Sequence, residues 1–315
     1  MASGQIGEGL KAESLRHLYD RDHARSYDDR FLLAEGWARD GTEFEVELIG
    51  ELLERTSEPR WLDVACGTGF YLSRFDQVTR VGLDLSPAML EVAARRDPGL
   101  DLVEGSFLDP HPEWRSRWSL VSCMWAAYSY VDSLDELGVL IENLSRWTSP
   151  AGSLFLPVCD VADLTGGMQM PYRNEETWVF GGELLIKAVI WEWDDQEIGK
   201  RHHDLIAPHV DHLIELIGVH FQRIELVHYP PYLPGWGSRR AIVASAPRGE
   251  GGGDGGPAVV VELAPPPSRN PHASAYEAAE RQDPESGVES AKRLRALMLR
   301  LVRRLERWLD GRGHR

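Results

Sequence analysis

A pair of glycines beside an acid offers the first chemistry in this sequence. The segment "WLDVACGTGFYL", residues 61–72, places Gly67 and Gly69 directly after an apolar run that is typical of a buried strand. Glycine adopts backbone angles closed to other residues, and its missing side chain lets a ligand approach the main chain closely. The segment therefore predicts either a cradle for a nucleotide or an ordinary tight turn between a strand and a helix.

A further acid follows at the end of the next strand-like run, "RVGLDL". Asp84 closes this run, and Ser86 and Pro87 then begin a helix, because serine caps helices and proline suits the first helical position. An acid about 20 residues after the start of a glycine loop is placed to hold the two ribose hydroxyls of a nucleotide. The alternative is a solvated acid at a strand end, but the combination with the glycines favours the ribose.

The surrounding elements must bring the glycines and Asp84 to one edge. Strand-like and amphipathic segments alternate along residues 1–247, which predicts an α/β fold with a doubly wound, mainly parallel, Rossmann-like sheet of seven strands. Ligands bind beyond the carboxyl ends of such strands, where the glycine loop lies. The predicted strands are "RWLDVA", "RVGLDL", "DLVEGS", "SLVSCMWA", "GSLFLPVCD", "RIELVHY" and "RRAIVASA".

Four successive segments carry a family resemblance: "LDVACGTG", "VGLDLSPAMLEVAARRDPG", "LVEGSF" and "LVSCMWAAYSYV". They are similar to the motifs of class I S-adenosylmethionine-dependent methyltransferases, and the resemblance covers residues 15–247. The sequences of these motifs are most similar to those of small-molecule enzymes of the amino-sugar N-methyltransferase type, in which an Ala-Cys pair likewise precedes the first glycine. The resemblance implies an enzyme that transfers a methyl group from S-adenosylmethionine to an N or O atom of a sugar, an amino sugar or another secondary metabolite.

The resemblance also implies residues that bind the cofactor. Ser106 departs from the family pattern, because relatives usually have an acid there that accepts from the adenine amine; adenine recognition would then depend on backbone groups or Asp109. Tyr19 competes with Tyr27 for contact with the cofactor carboxylate. The implied positions are Asp63, Ala65, Cys66, Gly67 and Gly69 along the methionine portion, Asp84 on the ribose, Leu85, Met89, Ser106 and Phe107 around the adenine, Cys123 and Met124 beneath the sulfonium, and Tyr27.

An inserted segment, about residues 160–206, is predicted to form a small β lid that covers the acceptor. Its apolar runs flank Asp194 and Asp195, which predicts a hairpin. His202 and His203 are adjacent on the returning strand and point to opposite faces, so only one of them faces the pocket. The predicted catalytic residues are His203 as a base, if one is needed, and Tyr130, which aligns with a position near the acceptor in the amino-sugar relatives. Trp178, Trp191 and Trp193 are predicted either to wall the pocket or to serve plain packing.

Other classes of function fit less well. A dinucleotide-binding oxidoreductase needs a glycine or alanine where Leu72 stands, and a bulky leucine keeps the helix from approaching the strand closely. No metal site is predicted, since the histidines lack further ligands at metal spacing. A methyltransferase-like protein that binds cofactor without transferring a methyl group, and an assembly protein that acts through its C-terminal helix, remain alternatives.

Charge and composition separate the body from the C-terminal region. Of the 315 residues, residues 1–247 hold 22 Lys and Arg against 40 Asp and Glu, so nucleic acid is excluded as a partner and a small-molecule acceptor is favoured. Three cysteines without metal-like spacing predict reduced, buried thiols, and the lack of a signal sequence predicts a cytoplasmic protein. Membrane binding is not favoured.

Two further regions are predicted beyond the methyltransferase domain at residues 1–247. Residues 248–286 are rich in Gly and Pro, which predicts a disordered linker. Residues 287–312 have apolar side chains at three- and four-residue steps with a basic opposite face, which predicts an amphipathic helix. Such a helix needs a partner surface, which would be another protein or a second copy of this chain.

Overall fold

A computed structural model describes residues 12–34, 36–164, 171–174, 184–231, 239–249 and 256–267. Contacts divide the chain into one unit of residues 1–230 and 237–266, which holds every element named below, and a second of residues 231–236 and 267–315. Only residues 231 and 267 of the second unit are described. The predicted C-terminal helix and Trp178 therefore lie outside the described residues.

The central feature is an eight-stranded sheet with the order β12-β10-β11-β5-β4-β1-β2-β3. Strand β11 runs antiparallel to both of its neighbours, and all the other neighbouring strands are parallel. The predicted α/β class with a mainly parallel, Rossmann-like sheet is confirmed. The strands are β1 Arg60–Val64, β2 Thr79–Asp84, β3 Asp101–Glu104, β4 Trp118–Cys123, β5 Thr148–Val158, β10 Phe221–His228, β11 Arg240–Pro247 and β12 Val259–Glu262.

Helices cover both faces of this sheet, because its strands are apolar on both sides. Adjacent residues of β1 illustrate the two faces: Trp61 joins one buried apolar cluster and Leu62 joins the other. No helix in the described part of the chain is long and apolar enough to cross a membrane. A helical segment at residues 12–18 is followed by α1 Arg21–Tyr27, α2 Trp37–Glu54, α3 Pro87–Arg96, α4 Leu134–Trp147, α5 Val161–Leu164 and α6 Val210–Gly218.

The eighth strand corrects the sequence prediction. Strand β12 lies inside the segment predicted as a linker, and it pairs in parallel with β10, which would otherwise be the edge of the sheet. Its three valines are β-branched residues, which favour strands even between glycine-rich and proline-rich stretches. The average composition of residues 248–286 concealed this short run. The linker prediction is therefore wrong at residues 259–262, and the sheet has eight strands where seven were predicted.

The predicted hairpin is present as β8 Ala188–Asp195 and β9 Lys200–Pro208, which pair antiparallel. Two strands of two residues each, β6 Arg173–Asn174 and β7 Leu184–Leu185, form a separate pair. In the hairpin Trp191 pairs with Leu205, but Trp193 pairs with His202, so β9 has one extra residue between these pairs. This β-bulge includes Asp204 at φ +54°.

The bulge decides which histidine of β9 points inward. Regular alternation would bury every second residue, but across the bulge His202 and Leu205 are both buried, while His203 and Asp204 between them are exposed. The side chain of Trp193 stacks on His202 with 4.6 Å between ring centroids. His202 therefore belongs to the packed interior of the hairpin.

Strand β12 should contribute measurably to stability, because it supplies backbone hydrogen-bond partners to the edge of β10. A chain that ends at Pro247 is expected to melt about 2–4 °C below a chain that ends at Pro266, a difference on the order of 1 kcal/mol. Calorimetric melting of the two truncated proteins measures this difference. Equal melting temperatures would contradict a stabilising role for β12.

Candidate functional site

A cavity of about 770 Å³ opens at the carboxyl ends of β1, β2, β3 and β4. Its walls come from the glycine loop, the residues that follow these strands and the N-terminal segment before α2. The structure thus brings most of the predicted site residues together. Those that line the cavity are Tyr27, Asp63, Ala65, Cys66, Gly67, Asp84, Leu85, Met89, Ser106, Phe107, Met124 and Tyr130.

The two glycines of the loop have different roles. Gly67 lines the cavity at φ +55°, and a Cβ placed on it would meet no atom within 4 Å. Gly69, at φ +66°, does not line the cavity, and a Cβ there would lie 2.9 Å from the Cβ of Ala93 in α3. Gly67 therefore leaves bare backbone toward the cavity, whereas Gly69 allows α3 to pack closely against the loop. The prediction of Gly69 as a lining residue differs from this placement.

Asp84 connects the glycine loop to the start of α3. Its Oδ2 accepts a hydrogen bond of 2.7 Å from the backbone N–H of Gly67, and its Oδ1 accepts one of 2.8 Å from the N–H of Ser86. Desolvation in this enclosed position raises the pKa of Asp84 to about 6, although these backbone hydrogen bonds favour the ionised form. Each oxygen can accept a further hydrogen bond from a ligand.

Asp63 is an enclosed acid on the same wall. It is buried at the end of β1, and its Oδ1 accepts a hydrogen bond of 2.6 Å from Ser122. Burial, and to a smaller extent the neighbouring acids Asp84 and Glu45, raises the pKa of Asp63 to about 7, against the effect of the Ser122 hydrogen bond. A ligand with a positive charge near Asp63 would favour its ionised form.

The two residues at the end of β4, Cys123 and Met124, also lie in different environments. Met124 lines the cavity, but Cys123 is fully buried in the apolar core and does not reach it. Burial raises the pKa of Cys123 to about 12, so its thiol stays protonated. The predicted position of Cys123 beneath a sulfonium differs from this placement, because alternate residues of a strand face opposite sides of the sheet.

A network around Trp125 was not anticipated from the sequence. Trp125 lines the cavity in the left-handed region at φ +52°, and Ala126 follows with the same φ. The indole Nε1 donates a 2.9 Å hydrogen bond to the hydroxyl of Tyr71, which in turn donates to the buried Glu45. The strained backbone and these contacts hold the indole in one orientation at the cavity wall.

Tyr130 connects the cavity to the hairpin. Its hydroxyl lies 2.7 Å from the hydroxyl of Tyr19 and 2.6 Å from Nδ1 of His202. Both tyrosines line the cavity, whereas His202 does not. The predicted residue Tyr130 thus lines the cavity, but the histidine of β9 that contacts it is His202, whereas His203 was predicted to face the pocket.

His203, predicted to face the pocket, does not line the large cavity. Its exposed ring contacts the carboxylate of Asp204 at 2.7 Å, and it lines a smaller cavity of about 260 Å³, which shares Leu15 and Tyr130 with the large one. The bulge in β9 is the physical reason, because it places His202 inward. The structure also leaves Trp191 and Trp193 out of the lining of the large cavity, in agreement with a packing role.

Ion pairs join the N-terminal segment to the hairpin. The side chain of Arg30 is 10 % exposed and lies 2.6 Å from both carboxylate oxygens of Asp195, which is 2 % exposed. Nζ of Lys200 lies 2.7 Å from Oδ2 of Asp20. Because burial makes a paired charge costly to separate, the Arg30–Asp195 pair holds the two segments together, and the more exposed Lys200–Asp20 pair adds a second contact between them. The two segments joined in this way are called the cover. No short motif indicates pairs so distant in sequence.

A comparison with protein families identifies a known domain here. Residues 62–152 match a family model described as "Methyltransferase domain". The match includes several residues that line the cavity, among them Gly67, Asp84 and Tyr130, whereas Tyr19 and Tyr27 lie outside it. The resemblance to methyltransferases stated from the sequence motifs is confirmed over these residues.

Curated relatives match over the same part of the chain. One is a dTDP-4-amino-2,3,4,6-tetradeoxy-D-glucose N,N-dimethyltransferase of Saccharopolyspora spinosa, 32% identical over 138 residues, which are 43% of this chain and 53% of the relative. Another is a dTDP-3-amino-3,4,6-trideoxy-alpha-D-glucopyranose N,N-dimethyltransferase of Streptomyces venezuelae, 31% identical over 43% of this chain and 56% of the relative. The chain spans about half the length of these relatives.

Solved structures show a weaker similarity. DesVI of Streptomyces venezuelae has a TM-score of 0.46 and 21% identity, over 71% of this chain and 98% of that chain. The CcbJ methyltransferase of Streptomyces caelestis has a TM-score of 0.48 and 17% identity, over 72% of this chain and 97% of that chain.

The raised pKa of Asp63 predicts a specific dependence of stability on pH. Its folded pKa of about 7 exceeds the ordinary value of 3.8, so the folded protein binds the proton more tightly than the unfolded chain. This group therefore contributes stability that is present below about pH 4 and is lost as the pH rises to about 7. Asp63→Asn removes this loss. The free energy of unfolding of the variant, relative to that of the wild type, should therefore increase by on the order of 2–4 kcal/mol as the pH rises from 4 to 8.

Melting of both proteins across this pH range measures the gain. Asp101→Asn, at an exposed position on β3, is the matched control and should show a difference from the wild type that varies little with pH. A stability difference for Asp63→Asn that is the same at both ends of the range would contradict the protonation assigned to Asp63.

Proposed function

We propose that this chain transfers a methyl group from S-adenosylmethionine to a nitrogen atom of an amino sugar or another small amine. The observation that carries the proposal is one cavity lined by the glycine loop, Asp84 and the Tyr19–Tyr130 pair. The methyltransferase domain at residues 62–152 and the names of the relatives, which are N,N-dimethyltransferases of dTDP-amino sugars, support it.

The residues around the cavity suit S-adenosylmethionine. The carboxylate of Asp84 retains acceptor capacity for two ribose hydroxyls, and Gly67 leaves room for close approach to the backbone. Leu85, Met89 and Phe107 provide an apolar surface for the adenine. Asp63 provides a negative charge for the amino group of the methionine portion. The volume of about 770 Å³ lies within the range of small-molecule sites, about 300–1,000 Å³.

Methyl transfer depends mainly on the alignment of the acceptor with the methyl group and on the exclusion of water. S-adenosylmethionine supplies a methyl group on a sulfonium, which is a good leaving group. The chain would hold the acceptor in line with this methyl and exclude water, which accounts for up to about 7–11 kcal/mol of the barrier in well-oriented reactions. The cover joined by Arg30 and Asp195 would keep water out.

The groups near the two tyrosines favour nitrogen over oxygen as the acceptor atom, since the cavity acids with near-neutral pKa values, Asp63 and Asp84, are assigned to the cofactor. A hydroxyl acceptor needs a base near neutral pKa within reach, whereas an amine needs only to arrive neutral. Burial raises the pKa of Tyr130 to about 12 and lowers that of His202 to about 4, so neither suits the removal of a proton from an alcohol. An amine nitrogen attacks with its own lone pair and needs neither group as a base.

Other features of the sequence remain predictions. The cytoplasmic location, and a protein partner or a second copy bound through residues 287–312, are not tested by the described residues. The acceptor is proposed as a small molecule because the cavity has the volume of a small-molecule site and its lining residues belong to one unit of the chain.

Methyl transfer to an amino sugar tests the proposal directly. The purified protein, incubated with S-adenosylmethionine and dTDP-4-amino-2,3,4,6-tetradeoxy-D-glucose or a small panel of related dTDP-amino sugars, is expected to add one or two methyl groups to the amine. The same sugars with a hydroxyl in place of the amine serve as controls and should remain unmodified. Mass spectrometry reports the products. Cofactor binding without methylation of any amine would contradict transfer and support the alternative of a binding protein.

A further inference from the structure

Three side chains form a hydrogen-bonded row that leaves the cavity and ends in the hairpin. The Tyr19 hydroxyl lies 2.7 Å from the Tyr130 hydroxyl, which lies 2.6 Å from Nδ1 of His202. The tyrosines line the cavity, while His202 is 1 % exposed. A tyrosine hydroxyl both donates and accepts, so these distances alone leave two possible directions for the row.

His202, the last side chain of this row, has an uncharged imidazole. Burial lowers its pKa to about 4; Asp195 opposes this shift, while Lys200, Arg30 and His203 reinforce it. The ring of His23, 6.1 Å away between centroids, also has a pKa lowered to about 4 by burial. A neutral imidazole has one N–H donor and one acceptor nitrogen, so Nδ1 either accepts from Tyr130 or donates to it.

The chemistry of the pair favours Nδ1 as the acceptor. A phenol is a more acidic donor than a neutral imidazole N–H, and an imidazole nitrogen is a more basic acceptor than a phenol oxygen. The Nε2 atom of His202 is buried with no hydrogen-bond partner among the described residues, so its own bonding does not select the opposite tautomer. The strong hydrogen bond at Nδ1 is therefore what selects the tautomer.

We infer that His202 fixes the direction of the row, so that Tyr130 donates to Nδ1, Tyr19 donates to Tyr130, and the oxygen of Tyr19 presents a lone pair to the cavity. This inference rests on the proposed function, and it assigns His202 as a positioning residue. An acceptor amine would then donate its N–H to Tyr19 while its own lone pair stays free for the methyl group. In the opposite direction Tyr19 would donate into the cavity and occupy the nucleophilic lone pair.

The direction also defines the class of acceptor. An amine must keep at least one N–H to donate to Tyr19, which holds for a primary amine and for its monomethyl product but not for a tertiary amine. Each transfer breaks the bond from the methyl carbon to the sulfonium and leaves an ammonium, which must lose a proton to water before the nitrogen has a lone pair again. The chain should therefore methylate primary and secondary amines and stop at the dimethylamine. A quaternary ammonium product would require an acceptor that makes no hydrogen bond to Tyr19.

The tautomer of His202 can be measured without any acceptor. Long-range proton–nitrogen NMR spectra of protein labelled with ¹⁵N-histidine, with His202 assigned by its loss in His202→Asn, should show the proton on Nε2 near neutral pH. Tyr130→Phe should shift the Nδ1 resonance toward that of a nitrogen without a hydrogen bond. A proton on Nδ1 in the wild type would overturn the inference.

The kinetics of methyl transfer to an amine that the wild type accepts as substrate provide the second readout. His202→Leu removes the acceptor atom and should lower kcat about tenfold or more, with little change in the KM for S-adenosylmethionine. His202→Asn places an amide oxygen near the position of Nδ1 and should restore most of the activity. Ile190→Ala, at a residue that is 72 % exposed on the same hairpin, is the control and should match the wild type.

The outcomes separate this inference from the proposed function. If the wild type methylates no amine, the proposed function fails, and the tautomer still reports on the direction of the row. If the wild type is active and His202→Leu has the same kcat, the assignment of His202 as a positioning residue fails. Equal losses in His202→Leu and His202→Asn, with lower melting temperatures, would also overturn it, since they indicate a structural role.

Discussion

The carboxylate of Asp84 is the constraint on which the site depends. One side chain accepts from the backbone of both the glycine loop and the first turn of α3, and so fixes two walls of the cavity relative to each other. Its enclosed position disfavours the charge and raises the pKa to about 6. Hydroxyl donors from a ribose would compensate for this cost, because the two oxygens of Asp84 can each accept one more hydrogen bond from a nucleoside.

The opposite side of the cavity depends on contacts between segments far apart in the chain. The N-terminal segment and the hairpin are joined by Arg30 with Asp195 and by Lys200 with Asp20. This cover carries Tyr19, and Tyr130 reaches it from the end of β4. The wall proposed to bind the cofactor is thus part of the sheet, whereas the wall proposed to face the acceptor is assembled from long-range pairs. In the proposed function, that division would let the cover set the choice of acceptor while the sheet holds the cofactor.

The parts of the site that could be predicted from sequence are those encoded by neighbouring residues. Strand periodicity and turn chemistry predicted Gly67 and Asp84 at strand ends, where both line the cavity, because a strand end and its loop are local features. Glycine spacing could not distinguish the lining residue Gly67 from Gly69, whose role is helix packing. Alternation predicted one inward histidine on β9, but the bulge at Asp204 determines that it is His202. The row from Tyr19 to His202 joins three separate elements, so no local pattern reports it.

Calorimetric titration of S-adenosylmethionine into the wild type and Asp84→Asn tests the central claim most directly. The account predicts that Asp84→Asn weakens binding by about 2–3 kcal/mol, because the charge-assisted hydrogen bonds to the ribose are lost. Asp101→Asn should bind like the wild type, and melting curves establish that each variant is folded. Unchanged affinity in a folded Asp84→Asn protein would contradict the account, because the ribose would then not be held by Asp84.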